Sequence, residues 1–244
     1  MGGARASDVP GPVPADGGGI AARLVAVRSR VQEACRRSGR SPGDVLLVAV
    51  SKTVPADRVR AAAAAGLGDF GENYARELRE KAAAVPGVRW HFLGRLQRGT
   101  VRYPADLAAV VHSAEPGEAV ELLARRAAER GRVVDVLAQV DFTGRRQGSG
   151  PDDLEPFVQK LHALAGIRPV GLMTLPPFTA DAEDARGYFV RLRELRDRLR
   201  DGWPGLTELS MGMSGDYDVA VEEGATMIRV GTALFGERPT AANG

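Results

Sequence analysis

Lysine is scarce in this chain of 244 residues: among 33 basic residues only Lys52, Lys81 and Lys160 carry an amine, and arginine supplies the rest of the positive charge. Cysteine is scarcer still, with Cys35 alone. A single thiol excludes an internal disulfide framework and fits a reducing, cytoplasmic compartment. The three histidines, His91, His112 and His162, stand at no metal-ligand spacing, so no metal is expected. Aromatic residues make up 5% of the chain and the net charge is +2. No basic block interleaved with stacking side chains is present, so nucleic acid is not the expected partner. No apolar run is long enough to span a bilayer. The opening "MGGARASDVPGPVPADGGG" has Gly and Pro where a secretory leader needs an apolar centre, and residues 1–18 are expected to form a disordered tail.

What is present is alternation. Ile20, Leu24, Val27 and Val31 recur at helical spacing and Gly39 supplies a stop. Strand-like runs follow at 45–51, 68–72, 89–94, 108–113, 133–141, 168–174, 207–212 and 226–231. Helical stretches near 55–65, 73–84, 117–130, 152–164, 182–200 and 216–223 separate them, and "RLQRGTVRYPAD" is assigned only a short helix. Eight strands alternating with helices at this length predict one α/β domain, a closed parallel (β/α)8 barrel over residues 19–238, with an added N-terminal helix and a C-terminal tail at 239–244. An open doubly wound sheet is the alternative. It would place a glycine-rich nucleotide loop after an early strand, and "SKTVPADR" is no such loop.

Barrel chemistry gathers at the C-terminal ends of the strands. Lys52 follows strand one, Glu72 and Asn73 follow strand two, Ser210 and Ser214 flank the end of strand seven, and Gly231 and Thr232 follow strand eight. These residues are expected to face one mouth. A lysine amine can condense with a carbonyl, which a guanidinium cannot do. Against this, a strand-end lysine can simply reach for water. Lys81 and Lys160, in "ARELREKAAA" and "PFVQKLHAL", read as solvated helix charges. The loops "LSMGMSGD" and "VGTALFG" bring hydroxyls and glycines to the place where barrels hold phosphate. Taken singly, Gly231 is an ordinary turn, Ser214 an N-cap ahead of "GDYDVAVEEG", and Ser210 a satisfied core hydroxyl.

Arg229 lies two positions before Gly231 in an apolar strand, so alternation puts both on one face. In the lumen its guanidinium needs a partner: a carboxylate such as Asp135 or Glu208, or a ring nitrogen or anion on a ligand. Asn73 reads most simply as an N-cap, His91 as a core histidine, and Met173 and Thr174 as packing residues. Together the residues point to an aldehyde bearing a phosphate. Pyridoxal 5′-phosphate offers the aldehyde, the phosphate and a ring nitrogen for Arg229, and the sugar phosphate of a class I aldolase offers the first two.

The stretches "VAVSKTVP", "FGENY", "WHFLGRLQ", "GLMTL" and "LSMGMSGDYDVAVEEGATMIRVGTALFGER" resemble the YggS/PROSC family of pyridoxal phosphate homeostasis proteins, from about residue 20 to the end. The resemblance implies a barrel like the N-terminal domain of alanine racemase, with pyridoxal phosphate held as an imine on Lys52. By the same match Ser210, Ser214, Gly231 and Thr232 correspond to phosphate contacts, Arg229 faces the pyridine nitrogen, and Asn73 lies near the cofactor. The family implies a protein that binds, buffers or delivers the vitamer without established turnover; pyridoxal-phosphate-dependent apoenzymes are candidate partners, and a cytoplasmic monomer is expected. A small racemase-like enzyme is the alternative, with Tyr74 or His91 as acid/base candidates. The chain departs from the common family pattern at "RGTVR", 98–102, and within "QVDFTGRRQGSG", 141–150, which bears on partner contacts and mouth electrostatics.

Overall fold

The computed structural model describes residues 17–145 and 147–236. Most of the expected N-terminal tail, and all of the expected C-terminal one, lie outside the described residues. Helix α1 (Gly17–Ser38) begins inside the expected tail and lays Ile20, Leu24, Val27 and Val31 against the barrel, all buried. It stops at Gly39, whose φ of +68° suits a residue without a Cβ, with Arg40 N donating to the Cys35 carbonyl at 2.9 Å.

The strands are β1 (Leu46–Val50), β2 (Asp69–Glu72), β3 (Arg89–Phe92), β4 (Val110–Ala114), β5 (Val134–Val140), β6 (Ile167–Thr174), β7 (Glu208–Ser210) and β8 (Met227–Val230). Between and after them run α2 (Ala56–Ala64), α3 (Ala75–Ala84), α4 (Arg102–Leu107), α5 (Glu118–Glu129), α6 (Leu154–His162), α7 (Arg186–Leu199), α8 (Tyr217–Glu222) and α9 (Thr232–Phe235). All neighbouring strands pair in parallel, and β1 closes on β8 from Leu46↔Met227 to Ala49↔Val230. That closure excludes the open sheet. The link after β3 is the short helix foreseen, α4, whose Pro104 sits in the first turn, where a missing N–H breaks no helical bond.

Parallel strands are covered on both faces, which divides the apolar residues into two layers. The larger lies between strands and helices and includes Phe70, Phe92, Leu123, Leu161 and Phe189. Each such side chain, fully buried, contributes about 1.5–3 kcal/mol relative to exposure. The smaller cluster, Val110, Leu137 and Met173, packs inside the lumen. Beside it the lumen is polar: His91, His112, Ser210 and Arg229 are all buried there. This polar column underlies the site.

Candidate functional site

Strand parity places Lys52 on the face shared by Val48 and Val50, just past the end of β1. Its half-buried side chain lines a cleft of about 700 Å³ at the C-terminal mouth, together with Asn73, Ser214, Arg229, Gly231 and Thr232. The far rim is apolar, formed by Leu175, Pro177 and Phe178 after β6.

Ser214 does not cap α8 as its position suggests. That place belongs to Asp216, whose carboxylate accepts from Met213 N at 2.6 Å and whose pKa burial raises. The Ser214 hydroxyl oxygen instead accepts from Gly231 N at 3.2 Å and Ala233 N at 3.3 Å. The two glycine and hydroxyl loops are therefore joined, and the Ser214 O–H is left to donate into the cleft.

Arg229 pairs with neither carboxylate expected of it. Asp135 accepts from Arg168 at 2.7 Å, and Glu208 accepts from the Thr226 hydroxyl at 2.6 Å. Arg229 donates to the Ser210 hydroxyl and, at 2.9 Å, to the Thr174 carbonyl. Burial lowers its pKa to about 10, with Asp216 opposing the shift. Ser210, expected at the phosphate, is fully buried beneath Arg229 and does not line the cleft. Its hydroxyl is a satisfied core group because both Arg229 and His112 engage it.

From Ser210 a hydrogen-bonded column runs down the lumen. His112 Nδ1 lies 2.7 Å from Ser210 Oγ, His112 Nε2 lies 2.8 Å from His91 Nδ1, and His91 Nε2 lies 2.9 Å from Asp69 Oδ1. A carboxylate only accepts, so His91 Nε2 carries the proton at the lower end. Burial lowers both imidazole pKa values, that of His112 strongly, so both rings are neutral. His112 then donates from Nε2 and accepts the Ser210 O–H on Nδ1, and Ser210 accepts from Arg229. Every donor in the column points down, from the guanidinium toward Asp69.

Asn73 is not an N-cap either. The α3 cap position is Tyr74, with no side-chain cap bond, because the chain stays extended through Tyr74 before turning. Asn73 Oδ1 is buried without a hydrogen-bond partner in the protein. An orphaned acceptor in a cleft wall is a group awaiting a donor. A residue missed from the sequence, Gly94, holds this corner: a Cβ there would lie 1.8 Å from the Asn73 carbonyl oxygen. The Ser113 hydroxyl, donating to the Gly94 carbonyl, locks the approach. A glycine closing the strand-like run 89–94 was the available sign.

The family described as alanine racemase, N-terminal domain, matches residues 23–239. A pyridoxal phosphate homeostasis protein of Aquifex aeolicus is 41% identical over 221 residues, 88% of this chain and 97% of that protein. One from Pseudomonas aeruginosa is 41% identical over 227 residues, 91% and 97% of the two chains. The chain belongs to the pyridoxal phosphate homeostasis protein family. Among solved structures, PipY of Synechococcus elongatus, known with and without PLP, is similar to this family member at a TM-score of 0.79 and 38% identity, over 89% of this chain and 100% of that one. Alanine racemase from Corynebacterium glutamicum, at 17% identity and a TM-score of 0.66 over 91% of this chain and 63% of that one, shares the barrel fold alone.

In this family member Lys81 overturns its reading as a solvated charge. It is 6% exposed, and its Nζ lies 2.6 Å from the Ser51 carbonyl and 2.7 Å from both Glu72 and Glu77. The sign was local: Ala75, Leu78 and Lys81 share the buried stripe of α3. Glu72, expected at the mouth, points outward under α3, one residue out of phase with the lumenal side chains. Burial raises its pKa, against the pull of Lys81 and Ser51. Lys160 does lie at the surface, paired with Glu121 at 2.6 Å. Among the described residues, none of 98–102 or of 141–150 lines the cleft. Among the described residues no helix is long and apolar enough to cross a membrane.

Proposed function

We propose that this chain holds pyridoxal 5′-phosphate in the mouth cleft, linked covalently to Lys52, and serves vitamin B6 homeostasis as a carrier and not as a catalyst. The observation that carries the reading is the meeting of Lys52, Arg229 and the Ser214–Gly231 pair in one cleft. When bound, the vitamer supplies an aldehyde that the Lys52 amine can join with loss of water, a ring nitrogen, and a phosphate dianion. The residues fit each group. Ser214 O–H and the backbone of Gly231 and Thr232 suit the phosphate, Arg229 suits an unprotonated ring nitrogen, and the orphaned Asn73 Oδ1 leaves an acceptor in the cleft wall. The sugar-phosphate alternative leaves Arg229 without a role.

The carrier reading draws support from the same walls. A guanidinium facing the ring nitrogen disfavours its protonation and weakens the ring as an electron sink. A racemase would also need an acid/base partner for Lys52. Of the two candidates, His91 is sealed in the lumenal column and Tyr74 does not line the cleft. The proposal includes a cytoplasmic, monomeric protein that exchanges the vitamer with pyridoxal-phosphate-dependent apoenzymes. A lone, buried Cys35 accords with a reducing compartment.

Borohydride reduction of the loaded protein followed by peptide mass spectrometry tests the reading. The pyridoxyl adduct is expected on Lys52, and not on Lys81 or Lys160. No adduct, or one on another lysine, overturns it. Exchange of the α-proton of an amino acid by the purified protein in heavy water would restore the enzyme alternative.

A further inference from the structure

The backbone on both sides of Lys52 is tied to one buried ammonium group. Residues 51–54 form a turn closed by Val54 N donating to the Ser51 carbonyl at 2.9 Å, with Lys52 and Thr53 as its inner pair. The Ser51 carbonyl accepts a second bond, from Lys81 Nζ at 2.6 Å. Thr53 N donates to Glu77 Oε2 at 2.8 Å, and that same oxygen lies 2.7 Å from Lys81 Nζ. Glu72 completes the group, accepting from Lys81 at 2.7 Å and from the Ser51 hydroxyl at 2.6 Å. Ser51, Glu72 and Glu77 thus meet at Lys81, Thr53 joins them through Glu77, and Lys52 projects into the cleft.

Thr53 shows that the turn is held and not relaxed. Its φ of +63° is the one positive value among the described non-glycine residues. A β-branched residue there is strained and persists only where its surroundings over-determine it. The bond from Thr53 N to Glu77 is such a constraint, and it acts on the peptide unit that sets where the Lys52 side chain leaves the backbone.

We propose that Lys81 and Glu77 are positioning residues for Lys52: anchored on α3, they clamp the peptide units on either side of it and aim its amine at the carbonyl-binding part of the cleft. The inference rests on pyridoxal phosphate being held at Lys52. It differs from a general structural role in what it leaves alone, since the clamp touches neither the Ser214–Gly231 pair nor Arg229. It should control condensation with an aldehyde and have little influence on the phosphate and ring contacts.

The test compares pyridoxal 5′-phosphate with pyridoxamine 5′-phosphate, which has the same ring and phosphate but no aldehyde. Two variants are used. Glu77→Ala removes the Thr53 arm, and Lys81→Met combined with Glu72→Gln removes the central cation without leaving a buried carboxylate unpaired. Both are expected to slow condensation at Lys52, followed by absorbance and reductive trapping, by about 10-fold or more, with pyridoxamine phosphate affinity kept within about twofold. Equal losses for the two vitamers, or no loss for either, overturn the proposal. An absent adduct in the unmodified protein is a different failure, because it removes the functional reading and the inference with it.

Discussion

His91 Nδ1 lies 2.8 Å from His112 Nε2 inside the lumen, and a single proton joins the two rings. The pair links Asp69, near the N-terminal end of the barrel, to Arg229 under the cleft, through Ser210. Among the described residues the buried guanidinium bonds to no carboxylate directly: Asp216 acts on it only through space, and an aligned series of neutral dipoles holds it.

The neutral pair makes stability depend on acid. Unfolded imidazoles take up protons near pH 6.5, whereas burial holds both folded values lower. Between the folded and unfolded values the unfolded chain binds more protons, so the stabilisation is complete above about pH 6.5 and is lost as pH falls below it. Each histidine adds a slope of up to about 1.4 kcal/mol per pH unit. Urea denaturation at pH 7.5, 6 and 5 should show the decline. His112→Phe should make it shallower, leaving the share of His91, while costing about 1–3 kcal/mol at pH 7.5, because Ser210 and His91 lose a partner. An equally steep profile in the variant would refute the assignment.

Asn73→Ala removes a buried oxygen that bonds to nothing in the protein. Such a change should leave the thermal midpoint unchanged or slightly raised, since no hydrogen bond is lost and a desolvated polar group disappears. Pyridoxal phosphate affinity should nonetheless fall several-fold by equilibrium titration. A stability loss above about 1 kcal/mol would mark Asn73 as structural.

Ser214→Ala separates the phosphate from the rest of the vitamer. Loss of the hydroxyl removes an acceptor for Gly231 N and Ala233 N and a donor into the cleft. Affinity for pyridoxal phosphate should drop about 10-fold, equivalent to about 1.4 kcal/mol, whereas pyridoxal without phosphate should bind as before. Parallel losses for both compounds would count against a phosphate role.

Much of the fold could be read in advance because its causes are local. Strand-like runs alternating with helical stretches gave each strand within a few residues, and an apolar stripe gave α1. Lys52 and Arg229 were legible as exceptions: an amine in an arginine-rich chain, and a charge inside an apolar strand. Parity put Arg229 on the face of Gly231, and the structure makes that face the lumen. Ser210 and Ser214, alike in sequence, parted in the fold, one under Arg229 and the other in the cleft wall.

By itself the sequence determined the alternation of strands and helices and set a lysine, with an amine to offer, at the end of the first strand, since these follow from residue type and spacing along one segment. Only the tertiary structure decided which groups meet. Lys81 reaches Ser51 across 30 positions, Arg229 reaches Thr174 across 55, and His112 reaches Ser210 across 98. Those pairings arise where closure of the barrel sets distant strands and helices side by side, and no local period carries that distance.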